Sequence, residues 1–401
     1  MDSAGRIETI RELCSFEGRL AGTDAERRAA NRLAERLAEL GRRVDVEPIY
    51  AHPQVGLIVA LHCLLGLAGS LLAVAEPAIG FALALIAATS AYLDLNTRLY
   101  LLRLLFFRRV SQNVVSPPRR PAGKARLVLS AHYDAGRTGA IFAPRRVRLA
   151  GRLGARLPFS IAPLRLVFWS LAALLPLLGA RMAGVDSNVI SLLQLAPTLI
   201  LLVATFAAIE LELSPIAPGA NDNASGVATV LSLAEDLRAQ QPVNLDVWIV
   251  LSGAGECLME GMRAFLRGHR GELADGPTYF LCVDAVGDGE LRYATGEGLA
   301  VTYRLRSRLT ELCEAIGEGR RGEAGRPAAT PLSHGLATDA FAAAVRRHPA
   351  TAITCLDPGA AIPPRVHTMD DAPDHIDVAA VDRAHGFTLE LIGWLDRDAA
   401  R

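Results

Sequence analysis

The stretch Ala125-Arg126-Leu127-Val128-Leu129-Ser130-Ala131-His132-Tyr133-Asp134 is a short aliphatic run that stops on polar side chains able to do chemistry. An apolar run of this length without helical period predicts a buried strand, here Ala125 to Ser130. The same form returns at Leu245 to Leu251, followed by Gly253-Ala254-Gly255-Glu256, and at Tyr279 to Val283, followed by Asp284. It returns again at Thr351 to Leu356, with Val366-His367-Thr368 in the loop beyond. Between these runs, Ala224 to Arg238 and Leu258 to Arg267 carry apolar residues at helical spacing. Upstream, Arg27 to Leu40 does the same, with Leu33, Leu37 and Leu40 on one side, and Val44 and Val46 then alternate as in a strand. This order predicts an α/β fold with a mixed, largely parallel sheet covered by helices on both faces. In such a sheet, polar residues at the carboxyl ends of strands converge on one crevice.

The rest of the chain is far more apolar. Of 401 residues, 51% are hydrophobic and 21% charged, with a mean hydropathy of +0.26, a balance that calls for contact with lipid. Val55 to Ala75 is 21 residues without a charge, and after Glu76 and Pro77 a second uncharged run continues to Leu93. A third runs from Leu166 through Phe168, Trp169 and Pro176 to Ala180, and lengthens backwards if Arg165 snorkels to the membrane surface. The fourth, Asn188 to Ile209, is 22 residues. Their lengths and short links, Glu76 to Ile79 and Arg181 to Ser187, predict four transmembrane helices in two hairpins. The expected division is a single polar α/β domain in three parts, 1–54, 94–158 and 210–401, with hairpins at 55–93 and 159–209 inserted into it.

Arginines flank the hairpins: Arg42, Arg43, Arg98, Arg103, Arg108, Arg109, Arg119 and Arg120, then Arg145, Arg146, Arg148, Arg152 and Arg156. By the positive-inside rule this predicts a multi-pass integral membrane protein with both termini and the polar domain in the cytoplasm. Leu99 to Val110, apolar with interspersed arginines, is expected to form an amphipathic segment on the membrane or on protein. The 42 basic and 42 acidic residues cancel, so no basic field points to nucleic acid, and Lys124 is the only lysine. Six cysteines without a CxxC pair indicate neither a disulfide framework nor a thiolate zinc site. The charged N-terminus lacks the pattern of a secretory signal and is expected to belong to the folded domain.

The polar strand ends supply His132, Asp134, Glu256, Asp284 and His367, and the turn Gly219-Ala220-Asn221-Asp222-Asn223-Ala224-Ser225-Gly226 supplies Asp222. Singly, these are ordinary residues: Asp222 suits a helix cap, and Glu256 or Asp284 a solvated loop. Together, histidines and carboxylates form a donor set for zinc, manganese or cobalt. An aspartate two residues after a histidine can also fix the orientation of a liganding imidazole.

The opening Glu17-Gly18-Arg19-Leu20-Ala21-Gly22-Thr23, the Ala131-His132-Tyr133-Asp134 strand end, the 219–226 turn and Val366-His367-Thr368 occur in an order that resembles the zinc-dependent aminopeptidases of metallopeptidase family 28 (clan MH). The resemblance implies two zinc ions, with His132 and Asp284 on one, Glu256 and His367 on the other, Asp222 bridging and Asp134 orienting His132. It implies release of N-terminal residues from peptides with a free N-terminus. In the family a glutamate just before the metal-binding glutamate takes a proton from the attacking water. Here that position is Gly255. Three alternatives follow: Glu260 reaches in from one helical turn further on; a one-residue shift makes Glu256 the base and Cys257 a ligand; or the chain is a catalytically inactive metal-binding membrane scaffold. Glutaminyl cyclisation, which the same fold supports, is a further reading. Thr338-Asp339-Ala340-Phe341 stands where the family often has a substrate-pocket segment, and His334 reads as a surface-loop histidine.

Overall fold

The computed structural model describes residues 1–118, 122–154, 162–319, 329–357 and 362–400. Arg119, Arg120, Arg156 and the expected boundary between 158 and 159 lie outside them. Nine described strands form one sheet: β1 (Asp45–Ala51), β2 (Arg109–Ser116), β3 (Ala125–His132), β4 (Leu245–Ser252), β5 (Thr278–Val283), β6 (Glu290–Glu297), β7 (Tyr303–Arg304), β8 (Thr330–Ser333) and β9 (Ala350–Leu356). Their order is β1-β2-β4-β3-β5-β9-β6-β7, with β8 beside β6. The centre, β4-β3-β5-β9, is parallel. Antiparallel pairs flank it, with β1 and β2 on one side and β9, β6 and β7 on the other.

The helices are α1 (Ser3–Cys14), α2 (Asp24–Glu39), α3 (Val55–Leu72), α4 (Pro77–Leu95), α5 (Pro144–Gly154), α6 (Pro163–Met182), α7 (Asn188–Leu213), α8 (Gly226–Ala239), α9 (Glu260–Gly268), α10 (Arg270–Ala274), α11 (Arg308–Gly319), α12 (Asp339–Val345) and α13 (Val378–Ala399). Along β3, Leu127, Leu129 and Ala131 enter one core with residues of α1, α2, α8, α11 and α13. Val128 faces the other core, with Met262 and Phe265 of α9 and Phe341 of α12. A strand buried on both faces has no polar side to expose, which is why β3 to β5 read as continuous aliphatic runs.

Among the described residues four helices, α3, α4, α6 and α7, are long and apolar enough to cross a membrane, by length and composition. They form a bundle in which small residues allow close approach: a Cβ on Gly69 would lie 2.7 Å from the Gly80 carbonyl, and one on Gly66 would lie 2.2 Å from Leu171. The second core runs on into this bundle through Cys63, Ala84, Phe168 and Leu171. Arg165 does not snorkel: its guanidinium donates to the Gly298 carbonyl at 2.5 Å and to Thr302 Oγ1 at 2.9 Å, and Trp169 donates to the Ala300 carbonyl at 3.1 Å. The amphipathic segment expected over Leu99 to Val110 is not one element. It holds a single 3₁₀ turn, Leu102–Leu105, and then enters β2 at Arg109.

Candidate metal centre

His132 ends β3 opposite Ser252 of β4, so its ring stands at the carboxyl edge of the sheet beside the loop that follows β4. Asp134, fully buried, ties the two together by accepting the N–H groups of Gly255 at 2.8 Å and Glu256 at 3.1 Å. Its Oδ1 also lies 3.3 Å from His132 Nδ1. That nitrogen makes no aligned hydrogen bond, so the contact is one of charge.

Asp222 occupies a non-helical point in the turn Ala220–Ser225 that opens α8. Its flanking asparagines fasten the turn to the end of β5. Asn221 Oδ1 accepts from Gly287 N at 2.6 Å, and Asn223 Oδ1 accepts from Ala285 N at 3.0 Å while its Nδ2 donates to the Val283 carbonyl at 3.0 Å. From the other side, Asp371 accepts the N–H groups of Asn221 at 2.6 Å and Asp222 at 3.1 Å. The buried Arg19 guanidinium donates to the carbonyls of Leu13, Tyr133, Pro218 and Gly219 at 2.7 to 3.1 Å, joining the strand end to the approach of the turn.

These supports bring two groups of side chains together. His132 Nε2 lies 3.2 Å from Asp222 Oδ1 and 3.8 Å from Asp284 Oδ2. His367 Nε2 lies 3.6 Å from Glu256 Oε2. His132, Asp222 and Asp284 form one triad, and Asp222, Glu256 and His367 a second, each offering ligand atoms within 4.8 Å of one another. Asp222 is common to both. His367 Nδ1 lies 2.9 Å from the Arg137 carbonyl. A carbonyl only accepts, so the proton sits on Nδ1 and the Nε2 lone pair faces the triad.

The electrostatics fit a cation. Burial pushes Glu256 and Asp284 well above the usual carboxylate range, and the charge of Asp222 adds to both shifts. Burial alone would lower His132, but Asp134, Asp222 and Asp284 override it and raise that histidine well above its ordinary value. Burial also works to raise Asp222, yet its hydrogen bond and charge contact with His132 hold it below the ordinary value. Crowded carboxylates that resist ionisation, beside a histidine that holds its proton for their sake, are a donor set in which a divalent ion can take the place of the protons.

Position 255 has no room for a side chain. A Cβ there would lie 2.4 Å from His132 Cβ and 2.5 Å from its Cγ. Gly136 is equally confined, since its Cβ would lie 2.4 Å from His367 Cε1 and 2.7 Å from Glu256 Cδ. Glu260 does not reach the site. Leu258 and Met259 are left-handed, with φ of 58° and 57°, so α9 begins afresh at Glu260 and does not continue from Glu256. The Glu260 carboxylate instead accepts from the His52 N–H at 2.5 Å and lies 2.9 Å from His52 Nδ1 and 3.5 Å from Arg103. Cys257 also points away, packing with Ala21, Ile49 and Ala51. Thr338 caps α12, and Asp339 and Phe341 are built into the core, Asp339 accepting from Ser252 Oγ at 2.7 Å. His334 is not on the surface: its side chain is 8% exposed, with Nε2 3.7 Å from Glu297. Asp371 and Arg137 carried no signal in the sequence, because each acts through a backbone group, the N–H groups of Asn221 and Asp222 for Asp371 and its own carbonyl for Arg137, that only the fold brings into place; Asn221 and Asn223 were visible only as part of the 219–226 turn.

The model of Peptidase family M28 matches residues 197–392, from within α7 to α13. The chain resembles peptidase family M28. The match contains Asp222, Glu256, Asp284 and His367 and leaves out His132 and Asp134. Solved structures share this M28 fold. A Zn-dependent exopeptidase from Parabacteroides distasonis has a TM-score of 0.57 at 13% identity, covering 98% of this chain and 97% of that one. A leucine aminopeptidase precursor from Bacteroides thetaiotaomicron has a TM-score of 0.54 at 16% identity, covering 98% and 96%. The glutaminyl cyclase of Porphyromonas gingivalis has a TM-score of 0.56 at 13% identity, covering 98% of both chains. No curated protein matches the chain by sequence. The M28-like fold is that of a metallopeptidase, and it is shared by cyclases.

Proposed function

We propose that this chain is a multi-pass integral membrane metallopeptidase that holds two zinc ions and releases N-terminal residues from peptides, with its polar domain in the cytoplasm. The observation that carries the reading is the pair of triads sharing Asp222. His132 and Asp284 would hold one ion, Glu256 and His367 the other, and Asp222 both. Two divalent ions bound there would polarise the scissile carbonyl and acidify the attacking water. Asp134 keeps the loop of Glu256 in register with His132, and the Arg137 carbonyl fixes the tautomer of His367. Segments 55–93 and 159–209 anchor the domain in the bilayer, while 1–54, 94–158 and 210–401 build it.

Gly255 offers no side chain to take the proton from the water, which lowers the expected rate by about 10² to 10⁴. The same observation favours a second reading, a metal-binding membrane scaffold without turnover. Glutaminyl cyclisation stands behind both, since the resemblance gives that chemistry the same missing glutamate. The test is zinc content and turnover of the detergent-purified protein, on aminoacyl substrates and on a peptide beginning with glutamine, beside His132→Ala. Zinc at two ions per chain, with slow aminoacyl release that His132→Ala abolishes, supports the peptidase. Two ions with no turnover supports the scaffold, and cyclisation alone supports the cyclase. Absence of bound metal in the wild type overturns all three.

A further inference from the structure

Helix α5 takes no part in the metal centre or in the bundle. Its sequence, Pro144-Arg145-Arg146-Val147-Arg148-Leu149-Ala150-Gly151-Arg152-Leu153-Gly154, holds four arginines and no acid, and none of its residues is buried. Val147, Ala150, Gly151 and Gly154 are partly covered and form the side toward the protein. Leu149, 57% exposed, and Leu153, 47% exposed, point outward one turn apart. Arg145 lies one turn before Leu149, and Arg148 and Arg152 are themselves one turn apart, so guanidinium groups border the leucine stripe. Among the described residues, Arg145, Arg148 and Arg152 have no ion-pair partner, and Arg146 reaches only the Ala140 carbonyl at 3.0 Å. A helix packed on a water-soluble surface buries its leucines and leaves its charges to solvent. This one leaves both outward, a pattern suited to a surface that is apolar within and anionic at its rim.

Its position agrees. The turn Ala140–Phe142, just ahead of α5, is held at the last turn of α7, where the Glu210 carboxylate accepts the Ala140 N–H at 3.0 and 3.2 Å. Beyond α5 the chain enters α6 at Pro163. The amino end of α5 is therefore tied to the end of α7, and α6 is the next described helix along the chain. We propose that α5 is an interfacial helix, with Leu149 and Leu153 inserted among acyl chains and Arg145, Arg148 and Arg152 on anionic lipid headgroups. This rests on the membrane reading above, and it assigns a lipid class to one surface of the protein.

The test places a bimane fluorophore at single cysteines in the full chain, in a Cys14→Ser background, the other cysteines being buried. The sites are Leu149→Cys, Val203→Cys on an exposed face of α7, and Val243→Cys at the amino end of β4. Each protein is reconstituted in nanodiscs of phosphatidylcholine, or phosphatidylcholine with phosphatidylglycerol, containing nitroxide-labelled acyl chains. The expected result is quenching at Val203→Cys in both discs, none at Val243→Cys, and quenching at Leu149→Cys that appears with the anionic lipid. Reversing Arg145→Glu, Arg148→Glu and Arg152→Glu together abolishes it at Leu149→Cys and leaves Val203→Cys quenched, which also reports that the bundle is intact. Quenching at Val203→Cys with none at Leu149→Cys in either disc overturns the proposal, and leaves an acidic protein or nucleic acid as the occupant to seek. Equal quenching at Leu149→Cys in both discs overturns the anionic specificity. Absence of quenching at Val203→Cys overturns the membrane reading and the proposal with it.

Discussion

Gly255→Ala adds one methyl group at the most crowded point of the site. The new Cβ would stand 2.4 Å from His132 Cβ, whereas ordinary contact begins at 3.4 Å, so the two chains must part by about 1 Å. His132 Cβ is fixed to the backbone of β3, which is paired to β4 and β5, and it cannot rotate away. Gly255 is not among the left-handed residues, so the conflict is one of space alone. Overpacking of this kind costs about 1–3 kcal/mol. Part of the strain is relieved by tilting the imidazole away from Asp222 and Asp284, and a ligand so displaced weakens metal binding about 10- to 100-fold, where about 1.4 kcal/mol corresponds to a factor of ten. The assay strips the purified protein of metal, titrates zinc against a chromophoric chelator, and records the unfolding midpoint with and without zinc. The expected result is a weakened first ion and a lower midpoint. Wild-type affinity together with a wild-type midpoint would refute the reasoning. Gly255→Glu carries the same clash, so restoring the family's glutamate by substitution disturbs His132 before it supplies a base.

Three further outcomes follow from the geometry. Glu260→Ala leaves the fully buried Arg103 with Asp94, at 2.8 Å, as its one remaining carboxylate among the described residues, and deprives the His52 N–H of its acceptor; the expected loss is about 3–5 kcal/mol of stability, whereas Glu260→Gln abolishing turnover with the unfolding midpoint intact would make Glu260 part of the chemistry. Burial pushes Asp339 up from 3.8 to about 6, despite the hydroxyl of Ser252. A carboxyl raised in the fold binds its proton more tightly there than in the unfolded chain, so in metal-free protein this group lowers stability as pH climbs from about 4 to about 6, and its effect is level beyond. Asp339→Asn is expected to flatten that slope and to raise stability near neutral pH by up to about 3 kcal/mol, and unfolding midpoints at about pH 4 and about pH 7 with an unchanged difference would sink this assignment. For orientation, Cys313 and Cys355 are buried and report nothing; the exposed Val243→Cys is expected to react with a membrane-impermeant maleimide only in opened cells, and labelling in intact cells would place the domain outside.

The bundle helices and the strands β3, β4, β5 and β9 are legible in the sequence because each is specified locally. A long uncharged run marks an apolar helix whatever surrounds it, and a strand covered on both faces has only apolar positions to show. The candidate ligands are legible for a related reason: His132, Glu256 and Asp284 each interrupt an apolar run where a parallel strand ends, the edge at which such sheets expose polar groups. Other features wait on contacts between distant residues. Arginines among apolar residues in Leu99 to Val110 resemble an amphipathic segment, and only pairing to β1 and β4 makes Arg109–Ser116 a strand. Spacing puts Glu260 one turn after Glu256, but the left-handed Leu258 and Met259 break that helix and turn Glu260 toward His52 and Arg103. The sequence shows a glycine where the family has its base, and the packing of His132 against it decides that no side chain fits there. Composition and strand-end chemistry determine which residues can make a metal centre, whereas the close approach of distant backbone segments decides which of them meet.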